Sequence, residues 1–494
     1  MPNTFFGLNI ATSGLYAASV NLNVTANNAA NAKTDGYSRQ QATQVAKNAL
    51  RVYQEYGMIG AGVKVTGIER VRDAFYDKKY IANQTKLGEC YIKYYHSKQM
   101  EDHLNEATVD GFTKEYSNFF DSIQEVQKNP SSIPARTAMI SYGESLMDFF
   151  EQVKTNFRLQ QEDINAEISD NVDKINSTAR DIAALNEQIN AIELTGASAN
   201  ELRDKRDLLL DSLSEICEIQ TNEKVYENGK TEFTVKLGTN TLVDNYSAFQ
   251  LKVVSRDDNV DEDDAVGLYD IQWSYGEEFN PVKAGLGGTL TGLIQSRDGN
   301  NGVRNEKSQD SYEIDYKGIV YYIDEINKFQ QAFADAFNAI HTKGQDADGN
   351  STADVPFFVK SEEGNAYTVN KVLLEDASKM ATTYDRIEGA DNQDLIQDLV
   401  ELRKTDILEG STSEEFLQSL VTEVAVETKK EETLEKNYSE YKVTIQNQRL
   451  SVMGVDKDEE AMNLVKYQEA FDLNEKVIDI MQQVYDKLIN GTGV

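Results

Sequence analysis

Leucine recurs at every seventh position near the start of the chain, at Leu8, Leu15 and Leu22. Three residues after each leucine stands a small residue, and Ala29 continues the leucine series. This spacing predicts an amphipathic helix with an a/d seam of about three heptads. Because half of the seam is small, the helix needs a partner with larger side chains. The small companions of the leucines are Ala11, Ala18 and Thr25.

The C-terminal segment "NLVKYQEAFDLNEKVIDIMQQVYDKLIN" has the complementary pattern, with large side chains at its heptad positions. We therefore predict that the N- and C-terminal helices pair as a coiled coil in which large side chains meet small ones. The polar residue Asn474 interrupts the seam and can fix its register. The alternative is that each terminal helix packs separately on a globular core. The seam residues are Leu464, Tyr467, Phe471, Asn474, Ile478, Met481, Tyr485 and Leu488.

The middle of the chain begins with long helical patterns that run from about residue 72 and break at "NPSSIPAR". Isoleucine then recurs at heptad spacing from Ile168 to Ile189, and "TGASAN" ends the pattern. The following segment, "ELRDKRDLLLDSLSEI", places leucines on one face. These two segments predict an antiparallel helical hairpin over 164–216.

From about residue 219 to 300 the hydrophobic period shortens towards two, which is typical of strands, and "ENGK" is a candidate hairpin turn. A helical stripe resumes near residue 311, with Phe329, Phe333 and Phe337 on one face. We predict a mostly α fold with a β-rich insertion. The expected architecture is an elongated multi-domain chain with paired terminal helices, a helical core domain and a small outer β-rich region.

Six segments are predicted from these changes of pattern. They are an N-terminal axial helix and loop (1–70) that pairs with 440–494, a helical core (71–218), a β-rich region (219–300), a return helix of the core (301–345), a reduced, loop-rich outer region (346–412), and C-terminal helices with the axial coiled coil (413–494).

The composition narrows the choice of partners. The chain has 494 residues with 49 Lys and Arg against 83 Asp and Glu, which gives a formal net charge of −34. Such an acidic chain is not expected to bind nucleic acid or an anionic membrane. No stretch reaches the eighteen apolar residues of a membrane span. The two cysteines, Cys90 and Cys217, have no paired spacing and are interpreted as packing residues.

Candidate chemistry is sparse. The chain has three histidines, and its glycine-rich stretch "GLGGTLTG" has no phosphate-loop ending. The loop "DADGNST" departs from a calcium loop in its glycine position and in its twelfth residue, Phe357. We therefore predict no catalytic residue, no cofactor and no metal site, and we interpret the protein as a non-enzyme.

The turn "NAKTDGYSRQ" follows the first helix. Gly36 permits a tight backbone turn, and Thr34 and Asp35 can hydrogen-bond to local backbone. Tyr37 offers an apolar body with a polar tip, and Arg39 offers a forked donor to an acidic neighbouring subunit. An ordinary helix C-cap and loop would explain Gly36 but neither Tyr37 nor Arg39.

The segment "NLNVTANNAANAKTDGYSRQQ" resembles the N-terminal signature of bacterial flagellar axial proteins, N-x-x-T-x-G-Y-x-R. The C-terminal "GVDKDEEAMNLVKYQEAFDLNEKVIDIMQQVYDKLIN" is similar to the closing helix of the same proteins. The stretch "IAALNEQINAIELTGASANELRDKRDLLLDSLSEI" is similar to the hairpin of one member family, the hook-associated protein 1 family of first hook–filament junction proteins. The matching signature residues are Asn31, Thr34, Gly36, Tyr37 and Arg39.

The resemblance implies a structural subunit of the bacterial flagellum that forms the junction between hook and filament by helical self-assembly. The implied partners are copies of the chain, the hook protein, the second junction protein, the filament and an export chaperone. The implied location is the extracellular flagellum, reached by type III export without a cleaved signal peptide. Two alternatives stay open, another axial protein of hook or distal rod, and a secreted adhesin or ligand-binding protein. The expected assembly residues are the signature residues, the three leucines of the first helix, and Leu464, Phe471, Asn474, Ile478, Met481, Tyr485 and Leu488.

Overall fold

The computed structural model describes residues 6–51, 58–104, 112–226, 229–257, 259–303, 313–361, 365–389, 392–408 and 410–491. The chain divides into two compact units. The first unit comprises Met1–Thr85, Ile175–Gln250 and Tyr438–Val494, and the second comprises Lys86–Lys174 and Leu251–Asn437.

Helices dominate the described residues. They are α1 (Phe6–Asn31), α2 (Ala74–Leu104), α3 (Phe112–Lys128), α4 (Ile133–Glu193), α5 (Asn200–Ile216), α6 (Thr289–Asp298), α7 (Ile319–His341), α8 (Lys371–Glu375), α9 (Asp394–Glu401), α10 (Ser413–Met453) and α11 (Lys457–Asn490). The strands are β1 (Gln40–Ala46), β2 (Leu50–Arg51), β3 (Met58–Ile59), β4 (Val63–Arg70), β5 (Ile219–Val225), β6 (Thr231–Leu237), β7 (Asn240–Asp244), β8 (Ser247–Ala248), β9 (Leu251–Ser255), β10 (Tyr269–Trp273), β11 (Phe358–Lys360), β12 (Tyr367–Val369), β13 (Asp406–Leu408) and β14 (Ser411–Thr412).

In the first unit the two terminal helices pack against each other, so their predicted pairing is confirmed. The pair is antiparallel, because Gly7 lies against Met481 and Gly14 lies against Asn474. A Cβ atom on Gly14 would come within 2.4 Å of the Asn474 Oδ1 atom. Two glycines of α1, which lie outside the predicted heptad positions, therefore accept side chains of α11.

The hairpin formed by β1 and β4 covers another face of α1. The two strands are antiparallel, with Gln40 opposite Arg70 and Ala46 opposite Val63. The far end of the hairpin reaches back along α1, where the Val63 N–H donates to the Ser13 Oγ atom over 3.2 Å. Two partners, a helix and a hairpin, thus share the buried surface of α1. The buried α1 residues are Ala11, Ser13, Ala17, Ala18, Asn21, Val24, Thr25 and Asn28.

The first unit also contains a four-stranded antiparallel sheet in the order β5-β6-β7-β8. The predicted helical hairpin is present as α4 and α5, and α5 contributes to the sheet through Arg206, whose guanidinium lies 3.8 Å above the Phe233 ring centroid. On α4, the Asn186 Nδ2 atom donates to the Asn245 carbonyl over 2.8 Å. The predicted "ENGK" turn falls partly on residues 227 and 228, outside the described residues.

The core of the second unit is aromatic. Phe119 of α3 and the predicted stripe residues Phe329, Phe333 and Phe337 of α7 are fully buried, with the rings of Phe329 and Phe333 stacked at a centroid distance of 5.7 Å. Ile340, which the same pattern placed in the stripe, is only partly buried. Such ring pairs add to the free energy gained by burying their area. The α7 residues of this core are Tyr322, Ile326, Phe329, Phe333 and Phe337.

The predicted β-rich region over 219–300 is not one sheet. Strands β5 to β8 form the sheet of the first unit, whereas β9 and β10 pair in the second unit. Residues Thr289–Asp298 form helix α6, which the strand-like period of the preceding segment did not indicate. The other predicted segment boundaries stay predictions.

His341 lies fully buried at the end of α7, and its Nε2 atom accepts the Ala381 N–H over 3.1 Å. Burial disfavours the charged imidazolium and lowers the pKa of His341 to about 4. Since the unfolded side chain titrates near its ordinary value of about 6.5, the unfolded state binds the proton first on acidification.

We expect His341 to make the second unit less stable in acid. Between about pH 6.5 and pH 4 the wild-type unfolding free energy should fall, relative to a His341→Gln variant, by a total of about 3 kcal/mol. Urea titrations at several pH values, followed through the fluorescence of Trp273 in the second unit, measure this difference. Burial raises the pKa values of Asp264 and Asp324 to about 6 and about 7, so these two groups make the folded protein more stable as the pH falls. Both groups are present in the wild type and in the variant, so their effect cancels in the comparison. Parallel pH profiles for the two chains would contradict the assignment.

Candidate assembly site at the paired termini

The turn after α1 is stabilised by hydrogen bonds between its own residues and the end of α1. Asn31 donates through Nδ2 to the Asn27 carbonyl over 3.0 Å, and the Thr34 hydroxyl donates to the Asn31 Oδ1 atom over 3.2 Å. Gly36 has a φ of 75°, a left-handed conformation that favours glycine. The predicted tight turn is therefore present, and its glycine packs against the side chain of Leu208 on α5.

Tyr37 fastens the turn to the end of α1. Its buried hydroxyl donates to the Asn28 Oδ1 atom over 2.9 Å. The same Asn28 amide holds the start of β1, since it donates to the Gln40 carbonyl and accepts the Gln40 N–H, each over 2.9 Å. Burial and the nearby carboxylates of Glu201 and Asp204 raise the pKa of Tyr37, so its phenol stays a neutral donor.

Asp204 on α5 is the hub that ties this turn to the helical hairpin. Its carboxylate accepts from the Ser38 N–H over 2.9 Å and from the Ser38 hydroxyl over 2.7 Å. Arg70 at the end of β4 donates to Asp204 over 2.7 Å and to Asp207 over 2.8 Å. Because its side chain is only 7% exposed, Asp204 acts as a buried charge that needs these donors.

Arg39 fastens the turn to the start of α11. Its backbone N–H donates to the Met453 carbonyl, and its side chain donates to Glu460 and Glu459, all over 2.8 Å. Burial alone would lower the pKa of Arg39, but the two glutamates outweigh it and raise the pKa. The structure thus uses Arg39 within the chain, whereas its predicted contact with a neighbouring subunit stays a prediction.

A second arginine holds the end of α10 in the first unit. Arg449 donates to Asp77 over 3.0 Å and to Asp211 over 2.8 Å, and its guanidinium lies 4.3 Å above the Tyr80 ring centroid. Sequence reasoning missed the aspartates of this network. Asp204, Asp207 and Asp211 lie on one face of α5 at helical spacing, a signal that could have pointed to a cationic partner.

The predicted seam of α11 is largely reproduced. Tyr485 is buried, and the seam residues from Leu464 to Met481 are partly buried. Leu488 departs from the prediction, because it is 46% exposed. On α1, Leu8, Leu15 and Leu22 are also only partly buried and flank the seam, whose centre is formed by the smaller residues.

Another face of α11 carries a second apolar row that we call the outer stripe. Its members are all at least 41% exposed. The interval between them alternates between three and four residues over much of the helix, which puts them on one face. The outer stripe consists of Met462, Val465, Leu473, Val477, Ile480 and Val484.

Within the described ranges, no group of three or more His, Cys, Asp and Glu side chains is arranged to hold a metal ion. None of the helices in that part of the chain has the length and apolarity needed to cross a membrane. Cys90 and Cys217 are both buried free thiols.

Comparisons with known proteins show the family of the chain. The family described as the flagellar hook-associated protein FlgK helical domain matches residues 97–358, more than half of the chain, and the family of flagella basal body rod proteins matches residues 8–37. Flagellar hook-associated protein 1 of Salmonella typhimurium is 31% identical over 404 residues, which cover 78% of this chain and 67% of that protein. The chain belongs to the hook-associated protein 1 family.

Two further relatives carry the same kind of name. Flagellar hook-associated protein 1 of Bacillus subtilis is 27% identical over 524 residues, covering 100% of this chain and 99% of that protein. The solved structure of the flagellar hook junction protein FlgK from Burkholderia pseudomallei is similar at 23% identity and a TM-score of 0.43, over 55% of this chain and 45% of that one. In this family member the rod-protein match covers α1 from Leu8 onwards and the turn up to Tyr37.

We expect an Asp204→Ala substitution to loosen the turn, since it leaves the Ser38 N–H without its acceptor and removes one of the two carboxylates of Arg70. Breaking a buried charged contact of this kind costs about 3 kcal/mol. Amide hydrogen exchange over residues 28–45 of the full chain measures the loss of protection. The exposed Asp35→Ala change in the same turn is the matched control and should alter exchange little. Equal loss of protection in the two variants would contradict the proposed role of Asp204 in holding the turn.

Proposed function

We propose that this chain is the subunit that joins hook to filament in the bacterial flagellum, assembling through its paired terminal helices. Membership of the hook-associated protein 1 family supports the proposal. The observation that carries it is the outer stripe, which leaves α11 apolar on the side away from α1. A helix that is apolar on two faces needs a second partner.

Copies of the same chain are the proposed second partner. On α11 the seam residues Phe471 and Ile478 face α1, while Leu473 and Ile480, two positions further on, are 62% and 57% exposed. In a helical array the outer stripe of each copy would be covered by its neighbours, so the apolar area is buried only on assembly. This array would contact the hook protein at one end, and the second junction protein and the filament at the other.

Before assembly the same stripe faces water. We propose that the chain leaves the cell through the flagellar type III route and that an export chaperone is among its partners. The net charge of −34 favours solubility of the separate subunit and opposes its association before incorporation. The extracellular flagellum is then its final location, and the role is structural, without catalysis.

Two alternatives are weaker. A hook or distal-rod subunit would share the terminal helices, but the match over 97–358 includes the α4–α5 hairpin and supports a junction protein. A ligand-binding role of the β-rich stretch has no support in the contacts of β5 to β10, whose buried side chains serve as cores of two separate sheets.

We expect the double change Leu473→Asp and Ile480→Asp to block incorporation while leaving the fold intact, because both side chains are exposed in the single chain. Placing charges on an apolar contact should reduce junction labelling by immunogold electron microscopy at least tenfold. Circular dichroism should show unchanged helical content.

The matched control is Gln482→Asp with Gln483→Asp, which alters exposed polar positions on the same helix. This variant should label the hook–filament boundary as the wild type does. Wild-type label along the hook or rod would move the assignment to another axial protein, and full incorporation of the outer-stripe variant would refute its role.

A further inference from the structure

A groove lies in the first unit beside the signature turn. It is a cavity of about 890 Å³ bounded by residues 31–39, one face of α5, the start of α2 and the joint between α10 and α11. Two leucines that border it, Leu208 and Leu450, are 44% and 46% exposed. The groove therefore offers apolar anchor points in an otherwise polar surface.

The charge of the groove is acidic. Six carboxylate side chains and four basic side chains line it. Three of the four bases are arginines already paired within the chain, namely Arg39, Arg72 and Arg449. Three of the carboxylates, Asp204, Asp211 and Glu459, are also paired with arginines, so the lining carries an excess of two acidic groups. Asp35 on the rim is exposed, and the side chain of Glu459 is 50% exposed. An occupant of this groove should be basic and partly apolar.

The β1–β4 hairpin has the matching chemistry. Strand β1 contains no Asp or Glu, and β4 contains one, Glu69, at the end of the hairpin away from Val63. Val45 is 46% exposed and lies opposite Lys64 in the strand register. Lys47 is the first residue after β1, which ends at Ala46. Both lysines are exposed. We call these three side chains the hairpin patch.

The hairpin patch cannot occupy the groove of its own copy. The end of the hairpin is held at Ser13, whereas the groove begins at Asn31. Eighteen residues of α1 separate the two positions, which corresponds to about 27 Å along the helix. A contact between the patch and a groove must therefore join two copies. Because the two surfaces differ, repetition of the contact gives a closed ring or an open helical array.

We propose that the hairpin patch of one copy docks into the groove of the next copy. Val45 packs against Leu208 and Leu450, and the two lysines face the acidic rim. This inference rests on the proposed self-assembly and adds to it a specific head-to-tail contact and its polarity. It uses a different surface from the outer stripe, so the two can be tested separately.

Engineered cysteines test the contact in assembled flagella. The native thiols are buried, and burial raises the pKa of each to about 12, so they contribute little background. Chains carrying Val45→Cys with Leu450→Cys, or Val45→Cys with Leu208→Cys, should form a ladder of dimers, trimers and higher multimers on mild oxidation of isolated flagella. A mixture of the single variants should stop at dimers, because each chain then carries one half of the contact.

The control pair is Val45→Cys with Lys236→Cys, an exposed position on β6 of the same unit, and it should give no ladder. Absence of a ladder in both test pairs, with the variants seen at the junction by immunogold, would overturn the docking while leaving the proposed function intact. Absence of the wild-type chain from flagella would overturn both. As an independent check, Lys47→Glu with Lys64→Glu should lower incorporation about tenfold relative to Lys236→Glu.

Discussion

The buried carboxylate of Asp204 is the contact on which the architecture of the first unit depends. It joins the turn after α1, the end of β4 and helix α5, segments that lie far apart in the chain. A buried charge is stable only when donors surround it, so the three segments must keep one geometry. Arg39 extends the same constraint to α11 through Glu459 and Glu460. The signature turn is therefore a joint that sets where the two terminal helices meet.

The small residues of α1 follow from that geometry. With the turn fixed at one end, α1 and α11 approach closely enough that a Cβ on Gly7 would come within 2.7 Å of the Met481 Cε atom. Because the two helices approach closely, α1 alone covers one face of α11. The β1–β4 hairpin covers another face of α1. The remaining face of α11 has no cover among the described residues of the chain, which is why the outer stripe can serve contacts between copies.

The sequence allowed the helices, their pairing and the α4–α5 hairpin to be predicted, because hydrophobic periodicity reports which face of an element is buried. It did not identify the partners of Arg39 or the role of Asp204, since pairs separated by 421 and 166 residues leave no local pattern. The division of the β-rich stretch between two sheets was equally invisible, because alternation shows that a strand has a buried face without showing which sheet it joins.

Charge gives the proposed assembly its direction. A net charge of −34 repels copies of the chain at long range, and salt screens this repulsion beyond about 8 Å under physiological conditions. In the proposed contact, association then depends on short-range complementarity between the lysines of the hairpin patch and the acidic rim of the groove, which lie at opposite ends of α1. Contacts between unlike surfaces have polarity, so each added copy presents the same free surface as the one before it. In the proposed array the outer stripe would add apolar lateral contacts to this head-to-tail contact, and both surfaces would be buried as each copy is added.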